Sequence, residues 1–195
     1  MPGMSPRQRA GRRRTTEKAK QEINRRQRKW RLMQLINANF VSGRDLFVCL
    51  TYAQEASRAR ALEKFHAKMK KAYAKIGLTY KYIAVTEEHD MDGEPVRLHH
   101  HLILSGAHGV QLAEVVRDCW ASGLADVRTL REGADFFEDT AIYLLKEDSH
   151  KGKGARRYST SRNLTPPAEP VRLRLGEEEE AEVPPGVKII EHVQN

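Results

Sequence analysis

The segment Arg97-Leu-His-His-His-Leu-Ile-Leu104 holds the residues best placed to do chemistry. Successive side chains on a strand point to opposite faces, so His99 and His101 share one face while His100, Leu102 and Leu104 share the other. Two imidazoles about 7 Å apart along the backbone, converging from one face, can clamp one divalent ion. A third ligand is expected from a neighbouring strand. Glu87 and Glu88 close the preceding β-prone segment, and a hairpin would bring either of them beside the histidines. Imidazole and carboxylate ligands with open positions suit Mg²⁺ or Mn²⁺ in phosphate chemistry better than a closed structural zinc site. Further along, Tyr143 and Lys146 stand three apart on a predicted helix and are therefore neighbours. A phenol with a pKa near 10 is a weak nucleophile at pH 7, so it needs a cation such as Lys146 to stabilise the phenolate as it forms.

The elements that must position these residues follow from patterning. A helix is predicted from Thr16 to about Asn39, a stretch without Pro or Gly in which Ile23, Trp30, Met33 and Ile36 recur at helical spacing. Residues 41–45 break it. Strands are expected over Leu46–Tyr52, Thr79–Thr86 and Val96–Leu104, the last two joined across the turn-forming run Asp90–Pro95. Helices are expected over Ser57–Ile76, stopped by Gly77, over Gln111–Ala121, and over Asp135–Asp148; Asp126–Leu130 adds a short strand. The order β-α-β-β-α-β defines an α+β, split βαβ (ferredoxin- or RRM-like) antiparallel sheet with helices on one face, leaving the other for the active site.

Composition narrows the partners. The 195 residues suit one domain core with sequence left for tails, and the net charge of +8 argues for a polyanion. Residues 1–31 carry twelve Lys or Arg against two acids, so the remainder is close to neutral. No apolar run approaches the roughly 20 residues of a spanning helix, and no signal peptide is recognisable, which makes a cytosolic protein without a membrane partner the expectation. Cys49 and Cys119 are too few and too far apart for a disulfide framework or a thiolate metal site, and they read as reduced core residues. The expected organisation is a basic arm and helix over 1–40, a catalytic domain over 41–164, and a Pro- and Glu-rich tail over 165–195.

Taken together, the motifs resemble those of the HUH endonucleases, and among them the single-tyrosine rolling-circle replication initiators of phages and plasmids. Phe47-Val-Cys-Leu-Thr51 looks like the family's first motif, His99-His100-His101 with Leu102-Ile-Leu104 its second, and Tyr143-Leu-Leu-Lys146 its third. His100 departs from the aliphatic middle residue of the second motif. Leu35–Phe40 and Arg157–Leu164 also look like the phage-type proteins, so the likeness spans about residues 16–166. It implies Tyr143 as nucleophile, Lys146 as its helper, and His99, His101 and Glu87, favoured over Glu88, as ligands of Mg²⁺ or Mn²⁺. It further implies nicking of single-stranded or hairpin origin DNA through a 5′-phosphotyrosine, with a free 3′-OH that the host replication machinery can extend. Arg12, Arg13, Arg14, Arg25 and Arg26 in the N-terminal segment, with Arg156, Arg157 and Arg162, are the expected DNA contacts. A relaxase or single-tyrosine transposase would use the same site on other DNA. A non-catalytic nucleic-acid-binding module could use a split βαβ sheet and a basic arm alone, but it has no need of two histidines on one face.

Overall fold

A computed structural model describes the backbone of residues 6–54, 60–89, 94–108, 110–133, 136–146 and 156–168, and the side chains of these from residue 16 onward. Helix α1 spans Pro6–Asn39, followed by β1 Leu46–Thr51, α2 Ala61–Lys75, β2 Tyr82–His89 and β3 Pro95–Leu104. Helix α3 Leu112–Cys119, β4 Ala125–Thr129, α4 Glu138–Leu144 and β5 Ser159–Thr160 complete the order. The strands form one antiparallel sheet in the order β4-β1-β3-β2-β5. The first four strands have the split βαβ arrangement anticipated from the sequence.

Alternation along the strands gives the sheet two apolar faces. Val48 and Leu50 of β1, Leu98, Leu102 and Leu104 of β3, and Ala84 of β2 pack with Phe65, Met69 and Tyr73 of α2 and Leu112 and Val116 of α3. Truncating one of the fully buried residues here, such as Leu102→Ala, would remove about 2–5 kcal/mol of stability. On the opposite face Ile83, Val85 and Ile103 meet Leu32, Met33, Ile36 and Phe40 at the end of α1, and Phe137, Ala141 and Leu144 around α4. The site face is therefore not bare. Two helices outside the split βαβ core cover one part of it, because the sheet presents more apolar surface on this side than β-strand alternation alone advertises.

Several boundaries differ from the sequence expectations. Helix α1 is continuous from Pro6, and its residues 16–27 are all exposed, whereas its last two turns are anchored. The first residues expected in α2 fall partly at 57–59, outside the described residues; the helix is described from Ala61, behind Arg60 at φ 58°. Gly77, at φ 72°, ends that helix as expected. Strand β2 starts later than anticipated and runs on through Glu87 to His89, with an irregular register at its end. Helix α4 is only seven residues long, so Lys146 lies in the turn after it. The two-residue β5, formed through Ser159 and Thr160 beside Ala84 and Ile83, carried too few residues to be legible as a strand. The turn at 90–93 and the tail from 169 onward lie outside the described residues.

Asp45 fixes the corner between α1 and β1. Its buried carboxylate accepts the backbone N–H groups of Val41 and Gly106, both at 2.7 Å, and pairs with the Arg44 guanidinium. A Cβ on Gly106 would lie 2.0 Å from the carbonyl oxygen of Arg44, so only glycine lets the β3 exit pass this close.

Candidate metal and nucleophile site

Register carries the residues of three separate segments to one place. β2 and β3 align Glu87 with His99 and Val85 with His101, while β1 and β3 align Thr51 with His99 and Cys49 with His101. Alternation then puts Glu87, His99 and His101 on the face that α4 approaches. Glu87 Oε2 lies 3.1 Å from both His99 Nε2 and His101 Nε2. One donor atom from each of the three residues lies within 4.8 Å of the others, a group that could hold a metal ion. Glu88 is exposed and stands outside this group.

The protonation pattern suits cation binding. Burial pushes the His101 imidazole down to about 4, with His99 and Lys146 adding to the effect and Glu87 opposing it. The ring is therefore neutral at pH 7, and its contact with Glu87 is a hydrogen bond rather than an ion pair. His99 Nδ1 lies 2.8 Å from the carbonyl oxygen of Arg97. A ring that donates its Nδ1–H there presents the Nε2 lone pair to the site, the usual way in which an outer contact orients a ligating histidine. His101 Nδ1 is buried and has no hydrogen-bond partner among the described residues.

Tyr143 and Lys146 complete the cluster. The Tyr143 hydroxyl is 3.3 Å from His101 Nε2, and its ring meets that of His101 at 4.9 Å between centroids. Phe47 of β1 packs against both rings and fixes their separation. Although α4 is anchored by buried Ala141 and Leu144, Tyr143 remains 43% exposed to solvent. Lys146 Nζ sits 2.7 Å from Glu87 Oε1 and 4.3 Å from the centre of the Tyr143 ring. Burial disfavours its charge, but the bonds to Glu87 outweigh burial, so its pKa is raised and the ammonium persists.

His100 points away, as parity requires, and both its nitrogens are engaged. The Tyr52 hydroxyl is at 2.7 Å from Nε2 and the Thr86 hydroxyl at 2.9 Å from Nδ1. The ring lies edge-on to Tyr52 and Trp120. Burial, aided by its two histidine neighbours, lowers its pKa to about 4. A buried polar ring with both atoms satisfied is tolerated where an aliphatic residue would also fit.

The expected DNA-contacting arginines are dispersed. Arg25 and Arg26 are exposed on α1, Arg156 and Arg162 are exposed near β5, and Arg157 is half-buried. The side chains of Arg12, Arg13 and Arg14 lie outside the described residues. Cys49 and Cys119 are free and half-buried; Cys119 packs against the core beneath α2 and α3, whereas Cys49 shares the site face. Sequence reading missed the role of Phe47 and the hub position of Glu87, which meets both histidines and Lys146. The alternation of β1 and β2 held that signal. No described helix is long and apolar enough to cross a membrane.

The fold is thus a split βαβ sheet that carries a His-Glu-His group able to hold a metal ion, with a half-exposed tyrosine beside it. The family model for "Replication-associated protein ORF2/G2P" matches residues 45–148, more than half of the chain, and the chain belongs to that family. Neither the curated proteins nor the solved structures yield a significant match. The matched segment runs from the start of β1 to just beyond Lys146 and so contains the whole cluster.

Proposed function

We propose that this replication-associated protein is an HUH-type, single-tyrosine initiator of rolling-circle replication, which nicks single-stranded or hairpin origin DNA and rejoins strands. The observation that carries this reading is the convergence of the Glu87, His99 and His101 donor atoms with the Tyr143 hydroxyl and the Lys146 ammonium. A non-catalytic binding module would not need such a convergence.

In this reading His99, His101 and Glu87 hold Mg²⁺ or Mn²⁺, which when bound supplies charge to polarise the scissile phosphate. Tyr143, open to solvent on one side, attacks phosphorus in line. The Tyr143 O–P bond forms as the P–O3′ bond breaks, and the proton lost by the phenol balances the one gained by the 3′ oxygen. The strand is left with a 5′-phosphotyrosine and a free 3′-OH, which can prime a polymerase of the host replication machinery. Because the covalent link conserves the bond energy, a later attack by a DNA hydroxyl reseals the strand without a nucleotide cofactor. Lys146, held in place by Glu87 and lying over the Tyr143 ring, stabilises the phenolate as it forms. Arg12, Arg13, Arg14, Arg25 and Arg26 on α1, with Arg156, Arg157 and Arg162, offset backbone phosphates in a salt-sensitive, sequence-independent manner.

The test uses a labelled pool of random-sequence single strands incubated with the protein and Mn²⁺. The expected product is a covalent adduct that survives denaturation, is lost with chelator, and is absent for the double variant His99→Ala, His101→Ala. Adduct formation that persists in that variant would overturn the metal site.

A further inference from the structure

The row of residues that contains the metal-type group does not stop at His99. Across the sheet it runs from Glu87 on β2 through His99 on β3 and Thr51 on β1 to Leu124, the residue that leads into β4. The alternation of β4 assigns Leu124 to this face, because Ala125 and Val127 pack into the opposite core while Asp126 and Arg128 are exposed. Leu124 is 79% exposed, the most of any large apolar residue described.

Single exposed leucines are common on protein surfaces and need no explanation by themselves. Leu124 differs in being held there. Its carbonyl oxygen accepts the Thr51 N–H at 2.9 Å, the Ser122 carbonyl accepts the Ala53 N–H at 2.8 Å, and Trp120 Nε1 donates to the Thr51 carbonyl at 3.0 Å. Gly123 lets the two backbones touch, since a Cβ there would lie 2.0 Å from the Thr51 carbonyl oxygen. These contacts tie the loop backbone to β1. Two interstrand spacings separate Leu124 from His99, roughly 10 Å.

Resting on the strand-transfer reading above, we propose that Leu124 packs against an unpaired DNA base within about one to three nucleotides of the scissile phosphate, given a repeat of about 3.4 Å for stacked nucleotides. Charge decides between base and phosphate as the occupant. Asp126 and Arg128, the charged residues beside Leu124 on this face, pair with each other at 2.7 Å and leave the strip neutral. In the strand-transfer reading the scissile phosphate is held instead beside Lys146 and the His-Glu-His group, about two strand spacings away. A leucine wedge against or between bases is an established way for proteins to hold an unstacked nucleotide, and this one fixes where the strand leaves the site.

The experiment starts from the adducts formed by wild-type protein with the random single-strand pool and Mn²⁺, whose sequencing gives the preferred nick site. That strand is then synthesised with 2-aminopurine at each of the three positions on either side of the nick and bound to protein carrying Tyr143→Phe, which keeps the strand intact. Fluorescence should change at one or two adjacent positions. Adding Leu124→Ala should abolish the change at those positions and weaken binding about five- to tenfold, in the range of a lost base contact, whereas Leu124→Met should restore both. The melting temperature of each variant should match the parent, because an exposed side chain is removed. If adducts form but Leu124→Ala leaves the fluorescence profile unchanged, the Leu124 proposal alone is overturned. If wild-type protein yields no adduct from the pool, the strand-transfer reading falls and takes this proposal with it.

Discussion

Replacing Glu87 by Gln separates the two roles assigned to this carboxylate, that of the proposed metal ligand and that of the partner of Lys146. The substitution preserves shape but removes the charge that faces Lys146 Nζ at 2.7 Å and both imidazoles at 3.1 Å. At an effective dielectric of about 20 a unit-charge pair at this distance attracts by about 6 kcal/mol, and desolvation of two largely buried groups cancels most of it. Lys146 keeps 19% of its side chain accessible and can turn partly toward water, which limits the loss further. The net cost to the metal-free protein is about 1–3 kcal/mol, measured as a shift in the urea midpoint at pH 7 without divalent ions. The same change removes an anionic ligand, so Mn²⁺ affinity, read by the loss of free-ion paramagnetic signal, should fall at least about a hundredfold, above the range for outer contacts. Unchanged Mn²⁺ affinity, with or without the stability loss, would refute the assignment of Glu87 as a ligand. A loss of affinity with no change in metal-free stability would refute the electrostatic account of Lys146.

Other substitutions probe separate parts of the structure. Lys146→Met keeps the aliphatic stem against Tyr143 and should slow adduct formation at least about tenfold while leaving Mn²⁺ binding by isothermal titration within about threefold; equal rates would remove Lys146 from the chemistry. His66, whose pKa is lowered to about 4 by burial with help from His100, binds a proton less readily folded than unfolded. Stability from this group is thus complete above about pH 6.5 and is lost as the pH falls toward 4. Urea midpoints measured across that window should decline less steeply in His66→Gln than in wild type. Gly123→Ala forces a Cβ to within 2.0 Å of the Thr51 carbonyl oxygen, and the loop must shift; thermal melts should show a loss of roughly 2 kcal/mol or more, far beyond that of an ordinary surface substitution.

Much of the fold was legible because it rests on local patterning. The period-two alternation of residues 97–104 separates His99 and His101 from His100, and the structure keeps that separation with each face filled as the pattern requires. The β2–β3 hairpin, the α2 stop at Gly77 and the split βαβ order follow from the same short-range signals. What the sequence concealed depends on long-range placement. Nothing local says that α1 would close on α4 through Leu32, Met33 and Ile36, with Lys29 Nζ 2.6 Å from Glu138. The family resemblance favoured Glu87 over Glu88, but parity along β2 decides between them only once the register with β3 is known, since a one-residue slip would exchange them. The helix that presents Tyr143 is shorter than its apolar pattern suggested, yet the turn after it keeps Tyr143 and Lys146 neighbours through the Lys146 N–H to Tyr143 carbonyl bond at 3.3 Å, while Phe47 and His101 pack against the tyrosine ring.

The central claim is that the Tyr143 oxygen becomes bonded to DNA phosphorus. It is tested most directly by digesting the denaturation-resistant adduct with protease and nuclease and locating the remaining nucleotide by mass spectrometry. The account predicts one modified peptide, containing residues around Ile142-Tyr143-Leu144, with the added mass on the tyrosine and no adduct from Tyr143→Phe protein. A nucleotide on any other side chain, or an adduct that survives Tyr143→Phe, would contradict it.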